Sequence, residues 1–293
     1  MSESPQGDRP RAPDSTSTST VEGRTGAGST SPQSGLVPPP ATELGPASVA
    51  DPSSSPIHAR GADSPMLSFE GPTPSVFGRM PLSNSFVIGD RCITVVARFD
   101  HPEIVLFADV LTEAECLDLI SLSSDRLIRS ATVSQVSGKS NINGNRTSVG
   151  TLFRRGENGL VDGIDATISR LLCWPATHFE DMHVVRYQVG EEFKPHFDFF
   201  RPEHPGSAER LANGGQRVGT MILYLNDAKD GGETVFPQIG LSVIPRMGSA
   251  VYFANIGSNN MLNTMLLHSG APVLRGEKWI ATKWLRQHRC YGA

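Results

Sequence analysis

Lys278-Trp279-Ile280-Ala281-Thr282-Lys283-Trp284-Leu285-Arg286 carries the alternation on which the fold of this 293-residue chain turns. Successive side chains of a strand point to opposite faces, so Lys278, Ile280, Thr282, Trp284 and Arg286 share one face. Ten residues upstream of Lys278 stands His268, inside Thr264-Met265-Leu266-Leu267-His268-Ser269-Gly270. That apolar run reads as a buried strand near 263–268. Further back, His196-Phe197-Asp198 sets an imidazole and a carboxylate two apart in an aromatic-rich stretch. On a strand, both would face the same way. Two imidazoles and one carboxylate converging on a metal leave positions open on Fe(II). A lysine beside such a site is suited to pair the far carboxylate of a dicarboxylate cosubstrate, as a compact charge with three donors.

In isolation these residues have blander readings. The chain has eight histidines, so His-x-Asp alone describes a surface histidine beside a turn aspartate. Lys278 alone describes a solvated lysine at the start of an edge strand. The appearance of all four groups in strand register outweighs those readings.

The surrounding pattern is one of short strands and turns. Strands are expected at 91–97 and 103–107, and then near 183–189, 217–225, 241–244, 248–254, 263–268 and 278–286. Gly190, Gly214-Gly215, Asp230-Gly231-Gly232 and Arg246-Met247-Gly248 supply the turns. Many short strands with glycine-rich turns predict a mainly β fold with supporting helices, a jelly roll. Two helices are expected. Thr112 with Glu115 forms a capping box, Leu111 can staple to Cys116, and Cys116, Leu117, Leu119 and Ile120 supply an apolar face. The second runs near 161–172, with Val161, Ile164, Ile168, Leu171 and Leu172 at helical spacing, and ends at Cys173-Trp174-Pro175.

Composition sets limits. A net charge of −4 does not suggest a nucleic-acid partner. No apolar stretch approaches the roughly 20 residues of a membrane helix. The first residues show no secretory signal, and Cys92, Cys116, Cys173 and Cys290 have no metal-like spacing. A cytoplasmic protein with free thiols is expected, with Cys290 at the surface. Residues 1–75 hold more than half of the 22 prolines, with Phe69 their only aromatic. Such a tail cannot bury enough apolar area to order itself. It reads as a disordered linker or solubilising tail, with an export signal or a docking segment at Val37-Pro38-Pro39-Pro40 as the alternatives.

From about Pro102 to Arg286 the chain resembles the prolyl 4-hydroxylases among the 2-oxoglutarate- and Fe(II)-dependent dioxygenases. Arg146-Thr147-Ser148, Val185-Arg186-Tyr187 with Gly190, Pro195-His196-Phe197-Asp198, Gly215-Gln216-Arg217-Val218, Tyr224-Leu225-Asn226-Asp227, Gly231 to Pro237, and Gly276-Glu277-Lys278-Trp279 carry the likeness. It is to the collagen, plant and algal branch, because oxygen-sensing members usually have Arg where Lys278 stands. The resemblance implies a double-stranded β-helix, with a dioxygenase domain over 76–293, helical support at 110–175 and the catalytic core at 180–288.

The resemblance also implies roles. His196, Asp198 and His268 would hold Fe(II) as the catalytic centre. Lys278, Tyr187, Thr234 and Tyr224 would bind 2-oxoglutarate, with O2 consumed and ascorbate as an auxiliary reductant. Arg146, Ser148, Glu180, Phe193, Arg217, Trp284 and Arg286 would meet a proline-containing peptide, and the loop from Gly138 to Asn145 would fold over it. Core packing remains the alternative for Tyr187, Tyr224 and Trp284, and solvation the alternative for Arg146, Glu180 and Arg217. Phe193 and Arg286 depart from the family, which often has Tyr and, in its collagen branch, His at those places. The expected activity is hydroxylation of prolyl C4, releasing succinate and CO2. Hydroxylation of another side chain or a free amino acid, and a non-catalytic jelly-roll binding module, stand as alternatives.

Overall fold

The protein is described here from a computed structural model, which describes residues 83–133, 140–141 and 144–291. The tail expected over 1–75 and half of the expected 138–145 loop lie outside the described residues. In chain order the strands are β1 (Ser85–Ile88), β2 (Arg91–Phe99), β3 (Ile104–Ala108), β4 (Ile128–Arg129), β5 (Thr132–Val133), β6 (Ser140–Asn141), β7 (Val149–Phe153), β8 (Met182–Tyr187) and β9 (Phe193–His196). They continue with β10 (Arg217–Tyr224), β11 (Asp230–Gly231), β12 (Thr234–Phe236), β13 (Leu241–Val243), β14 (Ala250–Ala254), β15 (His268–Gly270), β16 (Val273–Arg275) and β17 (Lys278–Arg286). Helices α1 (Glu113–Ser124), α2 (Gly159–Leu172) and the short α3 (Ala208–Ala212) interrupt them.

A nine-stranded sheet runs β1-β2-β3-β14-β10-β17-β8-β7-β4, and a four-stranded sheet runs β13-β12-β15-β9. Every pairing in both is antiparallel. Apolar side chains fill both faces of the large sheet. On one side Phe107, Val184, Met221, Leu223, Trp279 and Leu285 pack with Cys116 and Leu119 of α1 and with Ile164, Ile168 and Leu172 of α2. On the other, Val185, Ile222, Val251, Phe253 and Ile280 meet Phe236 and Val243 of the small sheet. Each such side chain contributes about 1.5–3 kcal/mol on removal from water. The result is the expected mainly β jelly roll with supporting helices.

The strand β17 lies at the centre of this plan. It pairs with β10 on one side and β8 on the other, with Lys278 opposite Tyr187 and Trp284 opposite Thr220. Its alternation is the one read from sequence. The even-numbered residues face the small sheet. The odd-numbered face meets the helices, where Lys283 Nζ lies 2.9 Å from Asp165 of α2, with both side chains buried.

The helix ends follow their local chemistry. Thr112 caps α1, and its capping box with Glu115 is complete. Asn158 caps α2, and Cys173 closes it in the left-handed conformation at φ 49°. Several expectations are revised. Leu117 is exposed, and Ser123 takes its place on the inner face of α1. The 263–268 segment is a single 3-10 turn, Thr264–Leu266, and its strand begins only at His268. Asn263 caps that turn by accepting from the Met265 N–H, so local hydrogen bonding overrides the apolar pattern. Cys290 is buried, with its thiol donating to the Phe179 carbonyl at 3.2 Å. All four cysteines are free thiols. Among the described residues no helix is long and apolar enough to cross a membrane.

Candidate metal centre

His196, Asp198 and His268 each direct one ligand atom to a common point, all within 4.8 Å of one another. His196 ends β9 and His268 opens β15, and the two are direct cross-strand partners. Asp198 lies just beyond the end of β9 rather than on it. The shared face expected for His196 and Asp198 is therefore made by a bend after the strand. Asp198 Oδ1 lies 3.6 Å from His196 Nε2, and its Oδ2 lies 3.6 Å from His268 Nε2.

Both imidazoles are turned by the same device. His196 Nδ1 sits 2.9 Å from the Lys194 carbonyl and His268 Nδ1 sits 3.0 Å from the Leu266 carbonyl, each two residues back. An Nδ1 proton held in this way leaves Nε2 as a lone-pair donor aimed at the metal. Stacking fixes the ring planes. Phe193 lies on His196 at 3.6 Å between centroids, and Phe253 and Phe236 pack around His268 at 4.7 and 5.7 Å. Burial, with His268 adding to it, pushes the His196 pKa down to about 3. Burial works against the charge on Asp198, but His268, His196 and Arg217 together hold its pKa below the usual carboxylate value. The set is two imidazoles and a carboxylate, which suits a divalent transition metal and fits Fe(II).

A chain of hydrogen bonds that the sequence did not suggest supports the carboxylate. Thr220 Oγ1 donates to Asp198 Oδ2 at 2.9 Å, and Asn255 Nδ2 donates to Thr220 Oγ1 at 3.0 Å. Thr220 was legible in principle, because it alternates with Ile222 and Tyr224 along β10. Asn255 carried no signal.

A pocket opens from the triad. Arg146, Tyr187, Phe193, Ile222, Thr234, Lys278, Ile280, Thr282 and Trp284 line it together with the three ligands. Lys278 is 2% exposed, and no carboxylate among the described residues forms a salt bridge with it. Burial pushes its pKa down to about 7, partly opposed by Glu233. The rings of Tyr187 and Tyr224 lie 5.6 and 5.9 Å from its ammonium. A buried cation of this kind calls for an anionic ligand. The distal carboxylate of 2-oxoglutarate fits that demand.

Five expected contact residues do not line the pocket but hold those that do. Tyr224 is fully buried and donates to Thr234 at 2.8 Å. Ser148 is fully buried, accepts from Arg146 Nε at 3.1 Å and donates to Ser130 at 3.1 Å. Glu180 is enclosed, not solvated. Arg217 binds both its oxygens at 2.7 Å, and Arg286 reaches one of them at 2.9 Å. Arg286 also donates to the carbonyls of Arg210, Asn213 and Gly215. The Arg217 guanidinium lies 3.9 Å from the centre of the Trp284 ring, so the network forms the bed on which that pocket wall rests. Arg146 is likewise buried, over the Phe193 ring at 4.7 Å.

Residues 182–286 match the 2OG-Fe(II) oxygenase superfamily. The chain is 36% identical over 219 residues to prolyl 4-hydroxylase 5 of Arabidopsis thaliana, covering 68% of this chain and 73% of that protein. It is 37% identical over 204 residues to probable prolyl 4-hydroxylase 3 of the same plant, covering 63% and 69%. Among solved structures, a viral collagen prolyl hydroxylase from Paramecium bursaria Chlorella virus 1, in its 2OG complex, aligns at 27% identity with a TM-score of 0.49. That alignment covers 62% of this chain and 95% of the viral one.

Proposed function

This chain belongs to the prolyl 4-hydroxylase family of 2-oxoglutarate- and Fe(II)-dependent oxygenases, and from that membership we propose the roles of its residues in hydroxylating prolyl C4 of a protein or peptide. Iron bound by the triad would couple oxidative decarboxylation of 2-oxoglutarate by O2, giving succinate and CO2, to insertion of the second oxygen atom into the C4–H bond of proline. His196, Asp198 and His268 would hold the metal through one donor each.

Lys278 binds the far carboxylate of 2-oxoglutarate, and Thr234, braced by Tyr224, flanks the same end. Tyr187, Ile222 and Ile280 make the walls around it largely apolar, which excludes water and strengthens the ion pair. Phe193 and Trp284 present aromatic faces at the pocket to a pyrrolidine ring. Arg146, stacked on Phe193, offers guanidinium donors to a peptide carbonyl. Phe193 keeps the stacking face of the family's tyrosine and loses its hydroxyl. The observation that carries the reading is the placing of the triad in one pocket with a buried Lys278 that has no salt-bridge partner among the described residues.

The test is succinate formation and peptide mass on the same samples, with Fe(II), 2-oxoglutarate and prolyl peptides. Wild type is expected to form succinate and add one oxygen to proline. His196→Ala is expected to lose both. Lys278→Ala is expected to lose both at low cosubstrate and recover in part at high cosubstrate. Succinate without a mass gain on any prolyl peptide would move the substrate to another side chain or a free amino acid. Full activity in His196→Ala would contradict the metal assignment.

A further inference from the structure

His183 lies on β8 four residues before Tyr187 and so shares its face. The pairing of β8 with β17 sets it opposite Thr282, a lining residue of the pocket. Its ring lies 6.0 Å from that of Trp284, tilted by 37°. Room for the ring comes from Gly150 of β7, where a Cβ would stand 2.9 Å from His183 Nε2 and 3.3 Å from Ser130 Oγ. The imidazole is partly buried beside Trp284, which lines the pocket. None of the hydrogen bonds among the described residues ends on it.

Its neighbours explain what it can do. A peptide main chain offers carbonyl acceptors and N–H donors. The groups around this end of the pocket are donors: Arg146, Arg217 and the Trp284 Nε1–H, which is buried without a partner. Ser148 and Glu180 are acceptors already engaged with arginines. Among the described residues the acceptors left at this end are the Thr282 hydroxyl and the His183 imidazole, and only the imidazole can present a lone pair on nitrogen. Burial, and then Arg146 and Arg217, push its pKa well below the usual value, so one ring nitrogen keeps its lone pair.

We propose that His183 is a recognition residue for the prolyl peptide, with its imidazole accepting a main-chain N–H from a residue beside the target proline. Proline itself has no N–H, so the donor belongs to a flanking residue, and His183 reads that position. Two adjacent prolines placed there would remove the contact. This reading rests on the prolyl-peptide substrate proposed above.

The test compares wild type, His183→Leu and His183→Gln on one prolyl peptide and on a series N-methylated at each flanking residue in turn. In wild type, one methylation is expected to lower kcat/KM for peptide about ten-fold, the effect of an unmade hydrogen bond in a desolvated site. His183→Leu is expected to show about the same loss with the unmethylated peptide and to be indifferent to that methylation. His183→Gln retains an acceptor and should recover much of the rate. KM for 2-oxoglutarate and peptide-independent succinate formation should be unchanged in both variants. The proposal is overturned if His183→Leu matches wild type on the unmethylated peptide, or if every methylation costs the same in both. It is also overturned if KM for 2-oxoglutarate rises alongside that for peptide. Failure of the prolyl reading looks different, since wild type itself would then hydroxylate none of the peptides, and His183 would lose its role with it.

Discussion

Thr220 Oγ1 donates a hydrogen bond of 2.9 Å to Asp198 Oδ2, and it is Asn255 that sets its direction. A hydroxyl has one proton, and the Asn255 amide already gives one to the Thr220 oxygen. The hydroxyl proton is left to point at the carboxylate. Thr220→Val keeps the volume and removes this brace. Metal affinity should fall about 10- to 100-fold, the usual consequence of losing an outer-shell partner. Titration of the metal-free protein with Mn(II) checks it. Unchanged affinity would show that Asp198 needs no brace.

Lys278 gives 2-oxoglutarate binding a pH dependence. Burial holds its ammonium at a pKa of about 7, and pairing with a carboxylate raises it. Binding above pH 7 therefore takes up a proton. Affinity should be flat below about pH 7 and weaken about tenfold per unit above it until the pKa of the complex is reached. Calorimetry on the Mn(II) form in buffers of different ionisation enthalpy measures the uptake at pH 8. No uptake there would refute the assignment.

The same lysine makes the empty protein less stable than it could be. Folding lowers its pKa from the usual 10.5 to about 7, so the unfolded chain binds that proton more strongly. Between about pH 7 and 10.5 this group makes stability rise with pH, and below pH 7 the penalty is fully present. Lys278→Met should raise the melting temperature of the empty protein at pH 6 while abolishing stabilisation by added 2-oxoglutarate. A lower melting temperature in the variant would show that the buried ammonium is compensated.

Glu180 holds two buried arginines, and its removal strands both. Glu180→Ala should cost about 3–5 kcal/mol in a denaturant titration. Burial opposes its charge, but Arg217 and then Arg286 keep its pKa below the usual 4.5. Its stabilisation is therefore present above pH 4.5 and is lost as pH falls through the folded value. The acid limb of the unfolding curve should shift toward neutral pH in Arg217→Met.

Truncating the cap of α1 is a smaller, independent change. Thr112→Ala removes the acceptor of the Glu115 N–H and should cost about 1 kcal/mol. Turnover should be unaffected, because α1 packs on the face of the large sheet away from the pocket.

What was legible before the structure was what depends on local period. Lys278, Ile280, Thr282 and Trp284 turn one way because β17 is regular throughout. The capping box at Thr112 needed only residues three apart. Sequence reasoning missed what depends on partners far along the chain. Glu180 and Arg286 are 106 residues apart, and nothing local shows that they neutralise each other. Asp198 was expected on a strand and lies past its end, where period-2 reasoning no longer applies. His183 can be reached by stepping back from Tyr187 by four along β8, which puts it on the same face, but nothing in its immediate neighbours marks it.

Two buried ammonium groups stand on opposite sides of β17, Lys278 toward the pocket and Lys283 toward Asp165. Hydrophobicity alone would hold such a strand poorly in place, because Ile280 and Trp284 on one side differ little from Ala281 and Leu285 on the other. A slip of one residue against β10 or β8 would exchange the two sides. Lys283 would then enter the pocket, and Asp165 would be left buried with no cation to pair it. The helix-side pair thus works as a key that admits a single alignment of the strand, and in doing so fixes how far down the cleft the other ammonium sits.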